Sequence, residues 1–131
     1  MIQIVYISTS RTYIAGSRAG ILEESRRNNR RDGISGLLFD DGVRFLQVLE
    51  GPEDRVEAAV QRIKADARHR AIVILSRRSI TAREFGDWAM ASFGEGHDAE
   101  AVIVQVDALV STASPNVQAT FQSFTRYRAA A

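Results

Sequence analysis

The chain has 131 residues, of which 45% are hydrophobic and 25% charged, and it contains no cysteine. Its length predicts a single domain, and the missing cysteine excludes disulfides, thiolate nucleophiles and thiolate-bound zinc or iron–sulfur clusters. The 17 basic and 16 acidic residues give a formal net charge of +1, which argues against a dedicated nucleic-acid-binding protein.

Strand and helix patterns alternate over the first 93 residues. Runs of β-branched and aromatic residues predict strands, and apolar residues at helical spacing predict helices. We expect strands at 2–7, 34–39, 43–49, 71–75 and within 85–93, one helix at 19–31, and a second that opens at Gly51-Pro52-Glu53-Asp54 and carries the apolar stripe Val56, Ala59, Val60 and Ile63. An Asp40-Asp41-Gly42 turn between the second and third strands is typical of a hairpin. The predicted order is therefore βαββαββ.

This order predicts an α+β, ferredoxin-like sandwich with both helices on one face of an antiparallel-rich sheet. In this topology we expect the first and third strands to be parallel neighbours in the middle of the sheet. Two further helices are expected at 99–110 and 116–127, the second after a Ser114-Pro115 start signal. Their partial apolar stripes indicate that they cover the open face of the sheet. We therefore divide the chain into a domain at 1–93 and a helical extension at 94–131.

Gln47 does not fit a plain hydrophobic core. Strand alternation places it between Phe45 and Leu49 on one face of a central strand, where a buried amide needs hydrogen-bond partners. Tyr6 lies on the helix-facing side of the first strand, so the two side chains can be cross-strand neighbours, and a buried phenol usually has a partner. The simpler interpretation is a structural glutamine bonded to a neighbouring strand or a water molecule.

The first predicted helix has a face that is apolar at its start and carries amides at its end. Ile21, Ser25, Asn28 and Asn29 recur at helical spacing and share that face. An ordinary polar last turn is the simpler interpretation of either asparagine taken alone.

The second predicted helix carries charged residues beside its apolar stripe. Arg62, Asp66 and His69 recur at helical spacing next to Ile63. The simpler interpretation is an intrahelical ion pair between Arg62 and Asp66, worth a few tenths of a kcal/mol.

Together these residues describe a slot between two helices above the sheet, with amides, a phenol and an arginine at its edges. A flat heteroaromatic ligand with carbonyl and ring-nitrogen acceptors suits such a slot. His69 and His97 are the only histidines, which leaves few ways to build a Ser–His–Asp arrangement. The sequence contains no GxGxxG, Walker or HExxH motif, so we expect no metal and no Rossmann-type dinucleotide site.

One ordered set of segments carries a more specific signal. Its members are Val5-Tyr6-Ile7-Ser8, Asn28-Asn29, Asp32-Gly33-Ile34-Ser35-Gly36-Leu37-Leu38, Arg44-Phe45-Leu46-Gln47-Val48-Leu49-Glu50-Gly51, Arg62-Ile63, Asp66, Arg68-His69, Phe85 and Trp88-Ala89-Met90. In this order and spacing the first 93 residues resemble the BLUF family, the blue-light sensors that use flavin adenine dinucleotide (FAD). The departures are small: the family's usual Ile-Thr-Gly is Ile-Ser-Gly here, and its Trp-Ser-Met is Trp-Ala-Met.

The resemblance implies a non-covalently bound FAD and a role for each matching residue. Tyr6 would give an electron and a proton to the excited flavin, and Gln47 would bridge Tyr6 and the flavin and then rearrange or tautomerise. Trp88 and Met90, which share a face of the fifth strand, would exchange places or rotate to pass the change outward. The residues implied to hold the flavin, besides Tyr6 and Gln47, are Ile21, Ser25, Asn28, Asn29, Arg62, Ile63, Asp66, Arg68 and His69.

The expected function is that of a blue-light photoreceptor and not of an enzyme. We expect it to signal to a downstream protein and to form a homo-oligomer, without binding nucleic acid or a membrane. No apolar run approaches the ~20 residues that span a bilayer, and the N-terminus lacks a signal-peptide pattern, so we expect a cytoplasmic location. The alternatives are an acylphosphatase-like small hydrolase, with a phosphate-holding loop at Arg11 or Arg18, and an interaction domain without flavin.

Overall fold

The computed structural model of the chain describes residues 1–10, 17–66, 69–92 and 99–130. Its strands are β1 (Ile2–Ser10), β2 (Ser35–Asp40), β3 (Arg44–Gly51), β4 (His69–Ser79) and β5 (Trp88–Ser92). Its helices are α1 (Ser17–Asp32), α2 (Glu53–Ala65), α3 (Ala99–Leu109) and α4 (Pro115–Ala130). The predicted βαββαββ order, the two C-terminal helices and the α+β, ferredoxin-like class are confirmed. None of the helices in these ranges combines the length and apolar character that a membrane span requires.

The five strands form one sheet in the order β4-β1-β3-β2-β5. β1 and β3 are neighbours as expected, but the predicted parallel pairing is wrong, because Ile2 lies opposite Gly51 and Thr9 lies opposite Arg44. The physical reason is the hairpin, which makes β3 antiparallel to β2. Since α1 carries the chain back to the starting end of β1, β2 runs in the direction of β1, and β3 therefore opposes both strands. The parallel pair in this sheet is β2 with β5.

β4 is longer than its apolar segment predicts. It continues to Ser79, with Arg78 paired to Gln3 and Ser79 paired to Ile2 of β1. Because β4 is an edge strand, backbone pairing rather than burial defines its length. Even its apolar centre is exposed, as Val73 and Leu75 show. Hydrophobic patterning therefore identified its middle and missed its ends.

Each face of the sheet has its own hydrophobic core. The core beneath α2 includes Ile2, Ile4, Tyr6, Ile34, Leu49, Val56, Ala59 and Val60. The core beneath α3 and α4 includes Val5, Leu37, Phe39, Leu46, Val48, Val102, Val106, Val110, Val117 and Phe121. Because side chains alternate along a strand, Tyr6 and Gln47 share the α2 face, and the C-terminal helices cover the opposite one.

Gly36 allows β2 to lie close against β3. A Cβ atom at this position would lie 1.9 Å from the backbone oxygen of Val48, and Gly36 has a φ of +154°. We expect Gly36→Ala to lower the free energy of unfolding by about 2 kcal/mol, because a backbone oxygen cannot move aside without disturbing the sheet. Chemical denaturation measures this change. Gly86→Ala is the matched control, since nothing lies within 4 Å of a Cβ there, and an equal loss in both variants would contradict the steric explanation.

Candidate ligand-binding site

A cavity of about 370 Å³ lies between α1 and α2 above the sheet. Glu24, Ser25, Asn28 and Asn29 line it from α1, and Gln47 and Leu49 line it from β3. Ala59, Arg62, Ile63, Ala65 and Asp66 complete the wall along α2 and its C-terminal end. Seven of the residues predicted for the site therefore meet here, and polar groups lie beside an apolar surface, as is typical of a ligand pocket.

Tyr6 and Gln47 form a buried hydrogen-bonded pair next to this cavity. They lie directly opposite each other on β1 and β3, and only 1% of Tyr6 and 3% of Gln47 is exposed. The Tyr6 hydroxyl donates to Oε1 of Gln47. Burial raises the pKa of Tyr6 well above its ordinary value, and the negative charge of Asp66 adds to this effect. The phenol therefore keeps its proton at neutral pH.

Asn29 contributes a buried amide that still has a donor to offer. The residue is 4% exposed, and its Nδ2 has no hydrogen-bond partner in the part of the chain that the structure describes. Its backbone oxygen accepts a hydrogen bond of 2.9 Å from Ile34 N, which fixes the end of α1. A buried donor without a partner costs about 1–3 kcal/mol. Such a group beside a cavity is therefore well suited to a ligand with acceptor atoms.

Arg62 reaches across to the other helix. Its Nη2 donates to Oδ2 of Asp32, the last residue of α1, at 3.1 Å. The side chain of Asp32 is only 3% exposed, and hydrogen bonds from Arg31 are the largest cause that holds its pKa below the ordinary value. Asp32 therefore stays charged at neutral pH. The i, i+4 spacing in the sequence predicts Asp66 as the ion-pair partner of Arg62 and gives no indication of Asp32.

Three of the predicted residues lie partly or wholly outside the described structure. Ile21 belongs to α1, but its side chain is outside the described residues, as is all of Arg68. The expectation that His69 continues the second helix is wrong, because α2 ends before Asp66, which is extended, and His69 begins β4. The side chain of His69 is also outside the described residues. Ile63 packs at the margin of the core beneath α2.

Trp88 and Met90 lie on the same face of the sheet as Gln47 but away from the cavity. Both pack against Leu38 and Phe45, and neither is among the residues that line the cavity. The indole Nε1 of Trp88 is buried without a hydrogen-bond partner among the described residues, and the Arg26 guanidinium lies 6.0 Å from the ring centre. A second cavity of about 320 Å³ borders Trp88. The structure thus separates this pair from the residues that line the main cavity.

The fold and the cavity define a small α+β domain with a partly polar cavity between two helices. A model of the family described as sensors of blue-light using FAD matches residues 1–91. The chain belongs to this family, the BLUF domains, which are flavin-binding sensor domains. The family assignment favours the photoreceptor over the acylphosphatase-like hydrolase.

Curated relatives and solved structures agree with this assignment. The chain is 37% identical over 62 residues to photoactivated adenylate cyclase subunit beta of Euglena gracilis, covering 47% of this chain and 7% of the relative. It is 38% identical over 69 residues to the blue light- and temperature-regulated antirepressor BluF of Escherichia coli (strain K12), covering 53% and 17% respectively. The dark-state structure of the BLUF protein BlrB is similar at a TM-score of 0.67 and 29% identity, over 98% of this chain and 95% of that one. The chain thus spans a small part of these two curated relatives and nearly all of BlrB.

Proposed function

We propose that this chain is a blue-light photoreceptor in which Tyr6 and Gln47 form a hydrogen-bond switch beside a non-covalently bound FAD. The observation that carries the proposal is the buried Tyr6–Gln47 bond at the edge of the cavity. A hydrogen bond between two side chains that are nearly inaccessible to water is shielded from competing solvent. Its donor and acceptor can therefore define two distinct states.

The polar groups around the cavity fit a flavin. Its pyrimidine edge carries carbonyl and ring-nitrogen acceptors, which would suit Nδ2 of Asn29, a donor that has no partner within the described ranges. Because Oε1 of Gln47 accepts from Tyr6, the amide N–H groups are the donors that Gln47 can offer to such a ligand. Arg62 and Asp66, at the α2 wall, would bind the remaining polar groups of the ring and its side chain. We propose FAD as the flavin because the matching family is described by it.

The switch depends on the protonation and orientation of two side chains. When bound, the flavin supplies blue-light absorption and an excited state that accepts an electron. The raised pKa of Tyr6 keeps a proton on its hydroxyl, so that Tyr6 would be able to pass an electron and a proton to the excited flavin and to regain both afterwards. A half-turn of the Gln47 amide, or its tautomerisation, would exchange donor and acceptor, after which the amide donates to the Tyr6 oxygen. Each altered hydrogen bond is worth about 1 kcal/mol, enough to shift a two-state equilibrium several-fold.

Trp88 and Met90 would relay the altered hydrogen bonding to the rest of the domain. The indole N–H of Trp88 has no hydrogen-bond partner among the described residues, and a cavity lies beside it; both features support a change in its position. Met90 lies opposite Leu38 of β2, which itself lies opposite Gln47. This row of side chains connects the switch to β5.

The signal would pass to a partner protein. The names of two relatives associate their longer chains with an adenylate cyclase and an antirepressor. By analogy, we propose that this chain is a sensor without enzymatic activity of its own and that its partner supplies the output. Homo-oligomer formation and a cytoplasmic location stay predictions from the sequence.

The test of the proposed function is the colour of the purified protein and its response to light. We expect a yellow preparation whose flavin absorption band shifts to longer wavelength under blue light and returns in darkness. Chromatography of the released flavin would identify it as FAD. A protein that stays colourless after incubation with flavin, or that hydrolyses acyl phosphates, would contradict the proposal.

Asn29→Ala is expected to weaken flavin binding. Loss of a buried amide donor that bonds to the ligand costs about 1–2 kcal/mol, which corresponds to a roughly tenfold higher dissociation constant. Titration of the flavin-free protein with FAD measures it. Asn116→Ala removes the same side chain from an exposed position on α4 and serves as the control. Equal affinities in both variants would show that Asn29 does not bind the flavin.

A further inference from the structure

Asp32 is a buried carboxylate at which three guanidinium groups meet. Arg31 donates to both carboxylate oxygens, at 2.9 and 3.1 Å, and Arg55 approaches Oδ1 at 3.5 Å. Arg62 donates to Oδ2 at 3.1 Å. The three arginine side chains are 41–59% exposed, whereas that of Asp32 is 3% exposed. One buried acid therefore fixes several basic groups that face solvent.

Arg62 is the member of this cluster that lines the main cavity. Because a guanidinium has five N–H donors in a planar fork, a bond from one Nη to Asp32 restricts its orientation while other donors can face a ligand. The bond also joins the last turn of α2 to the last residue of α1, the two helices that border the cavity. An arginine side chain without such a bond would sample many rotamers and lose entropy on binding.

We propose that Asp32 is a positioning residue that holds Arg62 at the edge of the cavity, so that Arg62 can bind oxygen acceptors of the flavin. This inference rests on the proposed function. Asp32 itself is not among the cavity-lining residues and acts through Arg62. The acceptors are carbonyl and hydroxyl oxygens or a phosphate, since a guanidinium binds each of them.

Positioning and direct electrostatics predict opposite effects of removing the Asp32 charge. If Asp32 acted only through its own field, Asp32→Asn would make the cavity edge more positive and strengthen binding of a phosphorylated flavin. If Asp32 holds Arg62, the same variant frees the guanidinium and weakens binding. The sign of the change therefore separates the two explanations.

The experiment compares the flavin affinity of four proteins: wild type, Asp32→Asn, Arg62→Gln and the double variant. Each flavin-free protein is titrated with riboflavin and with riboflavin phosphate, and the quenching of flavin fluorescence gives the dissociation constant. We expect either single variant to bind about tenfold more weakly, and the double variant to bind no more weakly than Arg62→Gln. Asp107→Asn is the matched control, because Asp107 forms a similar pair with Arg126 between α3 and α4 at 3.3 Å.

Each outcome decides the inference. A loss that is shared by both ligands indicates ring or ribityl oxygens, and a loss confined to riboflavin phosphate indicates the phosphate; both support positioning. Losses that add in the double variant, tighter binding by Asp32→Asn, or an unchanged affinity in Arg62→Gln would overturn it. The measurement on Arg62→Gln decides the inference even if Asp32→Asn does not fold. A wild-type protein that binds neither ligand would instead contradict the proposed function itself.

Discussion

Tyr6→Phe is expected to leave the protein yellow and to abolish its light-induced red shift. The substitution removes the hydroxyl that donates to Gln47. Without this hydroxyl the side chain has neither the hydrogen bond nor the proton that the proposed switch needs. The ring still fills its place in the core beneath α2, so the cost in stability is that of one hydrogen bond, about 1 kcal/mol. Asn29 and Arg62 are untouched, so flavin binding is retained. Absorption spectra recorded in darkness and during blue illumination measure the result.

Tyr127→Phe is the matched control for this prediction. Tyr127 belongs to α4, the helix that packs on the opposite face of the sheet from Tyr6. The light-induced spectral shift of the Tyr127→Phe protein should therefore equal that of the wild type. A Tyr6→Phe variant with a normal shift and normal dark recovery would refute the proposed switch. Loss of flavin in that variant would instead indicate that Tyr6 is needed to build the cavity.

The Tyr6–Gln47 contact could be predicted because both residues obey strand alternation. Period-two spacing assigns each side chain to a face without any knowledge of the neighbouring strand. A glutamine between Phe45 and Leu49 then stands out as a buried amide. The parallel direction wrongly expected for β1 and β3 did not affect this conclusion, since either direction can place the two side chains together. The face of the sheet on which a side chain lies is set by local alternation. The direction of a strand, in contrast, depends on the connections that lead the chain from one strand to the next.

Asp32 could not be found in this way. Its contacts come from Arg55 and Arg62 on a different helix, and helical spacing describes only neighbours within one helix. The sequence also presents Asp32 as part of a helix stop before Gly33, which is a sufficient local explanation for an aspartate. Only the three-dimensional structure, in which Arg55 and Arg62 of α2 reach Asp32, shows that its carboxylate is buried.

Glu50 was likewise unremarkable in the sequence and is fully buried in the structure. It lies opposite Gln3 of β1 and Ser35 of β2, on the face covered by α3 and α4, and has 0% exposure. Its Oε1 accepts from the Ser35 hydroxyl at 3.0 Å and from Phe85 N at 2.6 Å. Its Oε2 accepts from Gln3 Nε2 at 3.2 Å and from Glu84 N at 3.0 Å. Four donors thus converge on one carboxylate, which joins three strands to the segment before β5.

Glu50→Gln is expected to lower the free energy of unfolding by about 3 kcal/mol. A carboxamide has one acceptor oxygen and an NH₂ group, whereas the site presents donors on both sides. The hydroxyl of Ser35 can turn and accept, but the backbone N–H of Phe85 or of Glu84 then faces another donor. A buried N–H without an acceptor is costly because water cannot replace the lost bond. Urea denaturation monitored by circular dichroism measures the loss.

Glu57→Gln is the control for this substitution, because it makes the same chemical change on α2 at a side chain that is 40% exposed and paired with Arg77. A surface pair of this kind contributes about 1 kcal/mol or less. If Glu50→Gln were as stable as Glu57→Gln, the carboxylate would not be the acceptor that joins the strands.

The residues that Glu50 holds, Glu84 and Phe85, lead directly into β5. We therefore also expect the structure around Trp88 in the Glu50→Gln variant to be lost before the flavin is released. Comparing tryptophan fluorescence with flavin absorbance during unfolding would show this: the Trp88 signal should change at lower urea concentration than the flavin signal.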